Sequence, residues 1–65
     1  MKIRYVRDTD TLYIEFREAR TTETRDLDEN TQIDFDANGS VCALTLEHAS
    51  LRADLPRIEY EQVTA

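Results

Sequence analysis

The fold is decided by the stretch TQIDFDANGSVCALTL at residues 31–46. Apolar and polar residues alternate on both sides of its middle, which is the period-two pattern of a strand with one buried face. The middle, DANG at residues 36–39, holds the only glycine of the chain, and Asn-Gly tolerates the positive φ angles of tight hairpin turns. The stretch therefore predicts two antiparallel strands joined by a short turn. The side chains expected to face inward are Ile33, Phe35, Cys42, Leu44 and Leu46.

A second hairpin is predicted at the N-terminal end. KIRYVR at residues 2–7 and LYIEF at residues 12–16 both alternate, and a polar cluster at residues 8–11 separates them as a turn. Between the two hairpins, residues 22–27 predict a weaker strand, because threonine suits a pleated surface although Leu27 is the only large apolar residue there. The side chains expected on one face of the N-terminal hairpin are Ile3, Tyr5, Leu12, Ile14 and Phe16.

The residues after Glu47 predict a short helix and then a last strand. The helical spacing is that of His48, Leu51, Arg52 and Leu55. We expect Ser50 to cap the helix and Pro56 to end it, since proline disfavours helical geometry at the preceding residue. RIEYEQV at residues 57–63 alternates again and predicts a strand paired within the chain or with another subunit.

These patterns predict a single α+β domain over residues 1–65, an antiparallel β-meander of four to five strands with one short helix near the C-terminus. A chain of this length buries only about 60% of the surface that its unfolded form exposes, so the core is thin. Small sheets often complete such a core by association. We therefore expect a homodimer, with Val6, Tyr13 and Val63 as candidates for the outer face.

The charge of the chain excludes two classes of partner. It has 8 basic and 14 acidic residues, for a net charge of −6. Nucleic-acid binding requires a stripe of Lys and Arg that displaces counterions from phosphates, so we expect no nucleic acid and no anionic membrane as partner. No apolar run approaches the length that spans a bilayer. A lone cysteine and the absence of a signal-peptide pattern favour the cytoplasm.

Acidic residues in two turns are the candidate metal ligands. Asp34, Asp36, Asn38 and Gly39 resemble the opening of an EF-hand loop, but position 12 of that loop is Thr45 instead of a bidentate Glu, so calcium is not supported. The alternative is that the hairpin ends meet and join their carboxylates into a divalent-cation site. That weaker metal hypothesis uses Asp8, Asp10, Asp34 and Asp36, which otherwise are solvated turn residues.

Cys42 and His48 are the remaining chemically reactive pair. Zinc needs three or more ligands, and the chain offers one Cys and one His. Cys42 is expected to face inward, where cysteine behaves as a small apolar side chain. We therefore expect no catalytic residues, no cofactor and no enzyme activity.

Three segments carry a resemblance to a known family. They are Tyr5 with the acidic turn and LYIEF at 12–16, IDFDANGSV at 33–41, and LEHAS at 46–50. Together these segments resemble the DUF2283 family of small uncharacterised bacterial and archaeal proteins. The resemblance implies a fold and carries no catalytic residues. Some members are thought to lie beside small basic toxin-like proteins, which implies an antitoxin-like role.

Two functional hypotheses follow. The first is a non-catalytic protein-binding module that engages a basic protein through an acidic sheet surface, with an exposed edge strand at residues 22–27 or 57–63. The alternative is a small-molecule or divalent-cation binding protein that uses the turn carboxylates.

Overall fold

A computed structural model describes residues 1–64, and it contains one five-stranded antiparallel sheet. The strands are β1 (Lys2–Val6), β2 (Thr11–Glu15), β3 (Glu23–Asp28), β4 (Thr31–Phe35) and β5 (Val41–Leu46). Their order across the sheet is β1-β2-β5-β4-β3, and all neighbouring pairs are antiparallel. The predicted antiparallel sheet, with both hairpins and the weak third strand, is confirmed.

The strand order differs from the predicted meander. In a meander β2 would pair with the next strand in the chain, β3, but it pairs with β5 instead. β5 contains no charged residue and takes the centre of the sheet, whereas β3 contains four charged residues and lies at one edge. Charged side chains are common on edge strands, where they oppose edge-to-edge aggregation. The charge content of β5 and β3 is consistent with their central and edge positions.

The pairing register sorts the side chains into rows on two faces of the sheet. On the apolar face, the first row contains Tyr5, Leu12, Leu46 and Thr31, and the second contains Ile3, Ile14, Leu44, Ile33 and Arg25. Phe35 lies on the same face, because the Arg25 guanidinium carbon is 4.8 Å from the centroid of its ring. The polar face carries Arg4, Tyr13, Thr45, Gln32 and Asp26 in one row, and Lys2, Glu15, Ala43, Asp34 and Thr24 in the next.

The predicted helix is wrong and is replaced by a single 3-10 turn, Ala49–Leu51. Residues 1–64 contain no α-helix, so the fold is mostly β instead of α+β. Ser50 does not cap a helix: the position before the turn is His48, which has φ 54° and makes no capping hydrogen bond. A helix ending before Pro56 would have had fewer than ten residues, too few to be stable without strong packing. Leu51 is in fact exposed.

The predicted last strand does not form within the chain. The segment 52–64 contains no strand, and the large apolar side chains that follow Pro56 remain exposed. These side chains are Ile58, Tyr60 and Val63. Over the described residues, no helix is long and apolar enough to cross a membrane.

Candidate functional site

The best-defined polar cluster is built around Asp10, in the turn between β1 and β2. The Tyr5 hydroxyl donates to Asp10 Oδ1 at 2.6 Å. The backbone N–H of Ser50 donates to the same oxygen at 3.0 Å, and the Ser50 hydroxyl donates to Oδ2 at 2.7 Å. The backbone N–H of Ala49 donates to the Asp10 carbonyl at 2.9 Å. We call this cluster, Tyr5, Asp10, Ala49 and Ser50, the Asp10 clamp.

The Asp10 clamp fixes the 3-10 turn over one end of the apolar face. Asp10 has φ 53°, a left-handed conformation that Asp adopts more readily than most residues. This conformation directs both its carbonyl and its carboxylate to the turn. Ala49, the first residue of the turn, is completely buried.

Arg52 ties the same turn to the far side of the sheet. Its guanidinium donates to the Asn30 carbonyl at 2.9 Å and to the Thr31 hydroxyl at 2.6 Å. It also donates to the Glu47 carbonyl at 3.2 Å and lies 3.6 Å from an Asp28 carboxylate oxygen. Thr31 is 3% exposed, so Arg52 supplies a partner for a buried hydroxyl.

Hydrogen bonds in these turns shift the pKa values of three carboxyls. The hydrogen bond from Tyr5, followed by that from Ser50, lowers the pKa of Asp10 below its ordinary value of 3.8, and the bond to Asp10 raises the pKa of Tyr5. The Arg17 guanidinium lowers the pKa of Asp36, and the Asn30 N–H lowers the pKa of Asp28. Each carboxylate is therefore held in its charged form by the fold.

Acid is expected to destabilise the fold through these carboxyls. Because the folded-state pKa lies below the unfolded one, each carboxylate stabilises the fold above about 3.8, and this stabilisation is lost as the pH falls through the folded-state pKa. Urea titrations of the wild type at pH 7, 5, 4 and 3 should show a fall in unfolding free energy at the acid end. The fall should be smaller in Asp10→Asn. If Asp10→Asn and the control Asp8→Asn follow the same profile, Asp10 has no part in the effect.

The four candidate metal ligands do not form one site. Asp8 and Asp10 lie between β1 and β2, next to the C-terminal end of β5, and Asp34 and Asp36 lie next to its N-terminal end. The two pairs are separated by the length of a six-residue strand, about 20 Å. Among residues 1–64, no group of three or more His, Cys, Asp or Glu side chains is placed to hold a metal ion. The condition on which the weaker metal hypothesis depended, that the two hairpin ends meet, is therefore not fulfilled in residues 1–64.

Three of these carboxylates have partners within the fold. Asp10 belongs to the clamp. Asp34 accepts a hydrogen bond from the Thr24 hydroxyl at 2.7 Å. Asp36 forms an ion pair with Arg17 and accepts the N–H groups of Asn38 and Ser40 in its own turn. The EF-hand likeness at residues 34–39 is thus a hairpin turn, with Gly39 at φ 77°.

Cys42 and His48 are also far apart. Cys42 is 2% exposed, and its Sγ lies 3.9 Å from the Thr21 hydroxyl and 3.5 Å from the Asp34 carbonyl oxygen. His48 is exposed and lies beyond the end of β5, whose residues after Cys42 alone span about 13 Å. The arrangement cannot pair the thiol with the imidazole. Cys42 is instead buried as a small apolar side chain, as predicted.

The residues that the sequence analysis missed are those of the Asp10 clamp. From the sequence, Asp10 is a candidate solvated turn residue and Ser50 a candidate helix cap, and no local pattern connects them because they lie 40 positions apart. All four clamp residues do fall within the segments that carry the family resemblance. A family model described as "Protein of unknown function (DUF2283)" matches residues 2–50.

The chain belongs to the DUF2283 family. The match begins at β1 and ends at Ser50, so the DUF2283 region contains the whole sheet and the complete Asp10 clamp. Searches of curated proteins and of solved structures gave no match. The family model carries no described function. The surfaces of the domain are therefore the remaining source of information about what it binds.

The two edges of the DUF2283 sheet carry opposite charge. Lys2 and Arg4 in β1, with Arg7 just after it, form a basic edge without any acidic residue between them. Asp26 and Asp28 in β3, with Glu29 just after it, form what we call the acidic edge. Every side chain of β3 is exposed. Asp26 and Glu29 make no ion pair within residues 1–64, so their charge is free to act on a partner.

Proposed function

We propose that this DUF2283 domain is a non-catalytic protein-binding module that binds a basic protein along its acidic edge. The observation that supports this function is β3 itself, an edge strand whose outer side has no neighbour in the sheet and whose six side chains are all exposed. An unpaired edge of this kind accepts an extended segment of another protein as an added strand.

The charge of β3 determines which segment it favours. A partner strand placed along the acidic edge lies beside Asp26, Asp28 and Glu29. Lysine or arginine side chains on that strand gain from the opposite charge, whereas an acidic strand is repelled. The net charge of −6 steers a basic protein toward the domain from a distance.

In the cell, such a module would act like an antitoxin that binds a basic protein in the cytoplasm. A module of this size inhibits a basic protein by covering it, without chemistry of its own. The single cysteine, Cys42, suits a reducing compartment.

The proposal is tested with a synthetic ten-residue peptide of alternating lysine and valine. In a titration followed by NMR, the amide shifts should change most in β3 and at residues 29–30. Raising the salt from 50 to 500 mM should weaken binding by about tenfold, because the contact is between exposed charges. A peptide with proline at every second position, which cannot donate to a ladder, should bind much more weakly.

Two double variants with the same change in net charge distinguish the contribution of the acidic edge to peptide binding from that of the total charge. Asp26→Lys with Glu29→Lys should weaken binding by at least about tenfold, mainly through the association rate. The double variant Glu18→Lys with Asp54→Lys alters exposed carboxylates elsewhere, and it should change the affinity for the peptide far less. Equal losses in both would mean that only net charge matters, and the acidic edge would then be rejected as the binding site.

A further inference from the structure

The apolar face is open beyond its first row. In the first row, at the end where the 3-10 turn stands, Leu12 and Thr31 are buried and Tyr5 and Leu46 are half-buried, whereas no residue of the second row is buried. Ile3 is 40% exposed, and Ile14, Ile33 and Leu44 stay half-buried although Leu44 is on the central strand. Phe16, 39% exposed, extends this face beyond the second row. A central strand of a complete core would have its apolar side chains fully covered.

The dimensions of the molecule also indicate a missing layer. The radius of gyration is 12.9 Å, against about 10.7 Å for a compact domain of this length. The accessible surface is 5369 Å², against about 4,300 Å² for a compact protein of this mass. The open face and the tail at residues 52–64 both contribute to this excess. Its size, about 1,000 Å², is an upper limit for the open face, and the roughly 800 Å² that one partner contributes to a stable interface lies within that limit.

We propose that a second copy of the chain covers this face, sheet against sheet, in a symmetric two-layer dimer. Of the surfaces described, the apolar face is the self-complementary one. A symmetric pairing of two β1 edges would bring the strand with Lys2, Arg4 and Arg7 against an identical basic strand, and pairing two β3 edges would bring one acidic strand against another. Pairing β1 with β3 of another copy does not close into a dimer and leads to open chains of molecules.

The Asp10 clamp decides how the two copies are oriented. The 3-10 turn stands at one end of the apolar face, because Tyr5 in the first row binds Asp10, which holds the turn, and Thr31 in the same row accepts from Arg52, which follows the turn. Two turns at the same end would hold the sheets apart. If the two-fold axis lies between the two sheets and runs perpendicular to the strands, the two 3-10 turns are placed at opposite ends of the dimer. The β5 strand of one copy then lies over the β5 strand of the other, with Leu44 near the axis.

Solution mass, measured by light scattering over a concentration series from about 1 µM to 1 mM, tests the dimer directly. The wild type should have a mass near twice 7.6 kDa. A folded monomer throughout this range would overturn the proposal. The result is independent of the proposed function, because the lysine–valine peptide probes the acidic edge and this experiment probes the apolar face.

Ile3 and Val6 offer a matched pair on one strand. They are 40% and 41% exposed and lie on opposite faces of β1. Ile3→Lys should raise the dimer dissociation constant by at least about tenfold, because it places a charge in an apolar contact. Val6→Lys should leave it within about twofold. The reverse result would move the interface to the polar face, where Val6 and Tyr13 lie, and would reject the proposal. Both sites are exposed in the single chain, so folding is expected to survive.

Discussion

Replacing Asp10 with alanine is expected to lower the melting temperature by about 10 °C or more at fixed protein concentration. The change removes three hydrogen bonds to the carboxylate and leaves the Tyr5 hydroxyl and the Ser50 N–H without their acceptor. It also puts an alanine at φ 53°, a conformation that alanine disfavours. Of the bonds that join Asp10 to the 3-10 turn, only the one from the Ala49 N–H to the backbone carbonyl of residue 10 then remains.

Asp8→Ala is the control for this change, because it removes the same charge from the same turn. Within the described part of the chain, Asp8 makes no side-chain hydrogen bond, and its effect should stay within about 2 °C. Asp10→Gly separates backbone from side chain, since glycine accepts the positive φ but lacks the carboxylate. If Asp10→Gly melts like the wild type, the Asp10 clamp contributes nothing, and the loss in Asp10→Ala is backbone strain alone.

Replacing Arg52 with methionine is expected to destabilise the fold by about 2 kcal/mol. Methionine keeps most of the aliphatic stem but has no donor for the Asn30 carbonyl, the Glu47 carbonyl or the Thr31 hydroxyl. The Thr31 hydroxyl, on a residue that is 3% exposed, is left without this partner. Urea unfolding at one protein concentration measures the difference.

Arg57→Met is the matched control for Arg52. Arg57 pairs with Glu59 two residues away, and both side chains are largely exposed. Exposed pairs of this kind contribute little, so the control should lie within about 0.5 kcal/mol of the wild type. Equal losses in the two variants would show that Arg52 acts only through its charge. The unfolding free energy of Arg52→Lys should lie between that of the wild type and that of Arg52→Met, because one ammonium group cannot reach all three acceptors.

The period-two alternation was enough to locate both hairpins and the turn at Gly39. It also separated the apolar side of each strand from its polar side, because successive side chains of a strand point to opposite faces. It failed after Glu47. There, the spacing of His48 and Leu51 has the helical period, but only the single 3-10 turn Ala49–Leu51 forms, because the segment before Pro56 is short and Leu51 is exposed instead of packed against the sheet.

The candidate metal site failed for a topological reason. Sequence places Asp8 and Asp36 in turns but says nothing about which end of the sheet each turn occupies. That depends on β2 lying beside β5, a pairing between residues about 30 positions apart.

The sequence by itself determined that this protein is a small acidic sheet with alternating strands and an Asn-Gly hairpin, because those properties depend on neighbours in the chain. Only the tertiary structure decided the strand order, the joining of Asp10 to Ser50 and the open apolar face. Each of these depends on contacts between residues that are distant in the chain. The alternation of a strand indicates which face a side chain occupies, but it does not indicate which residues pack against that face.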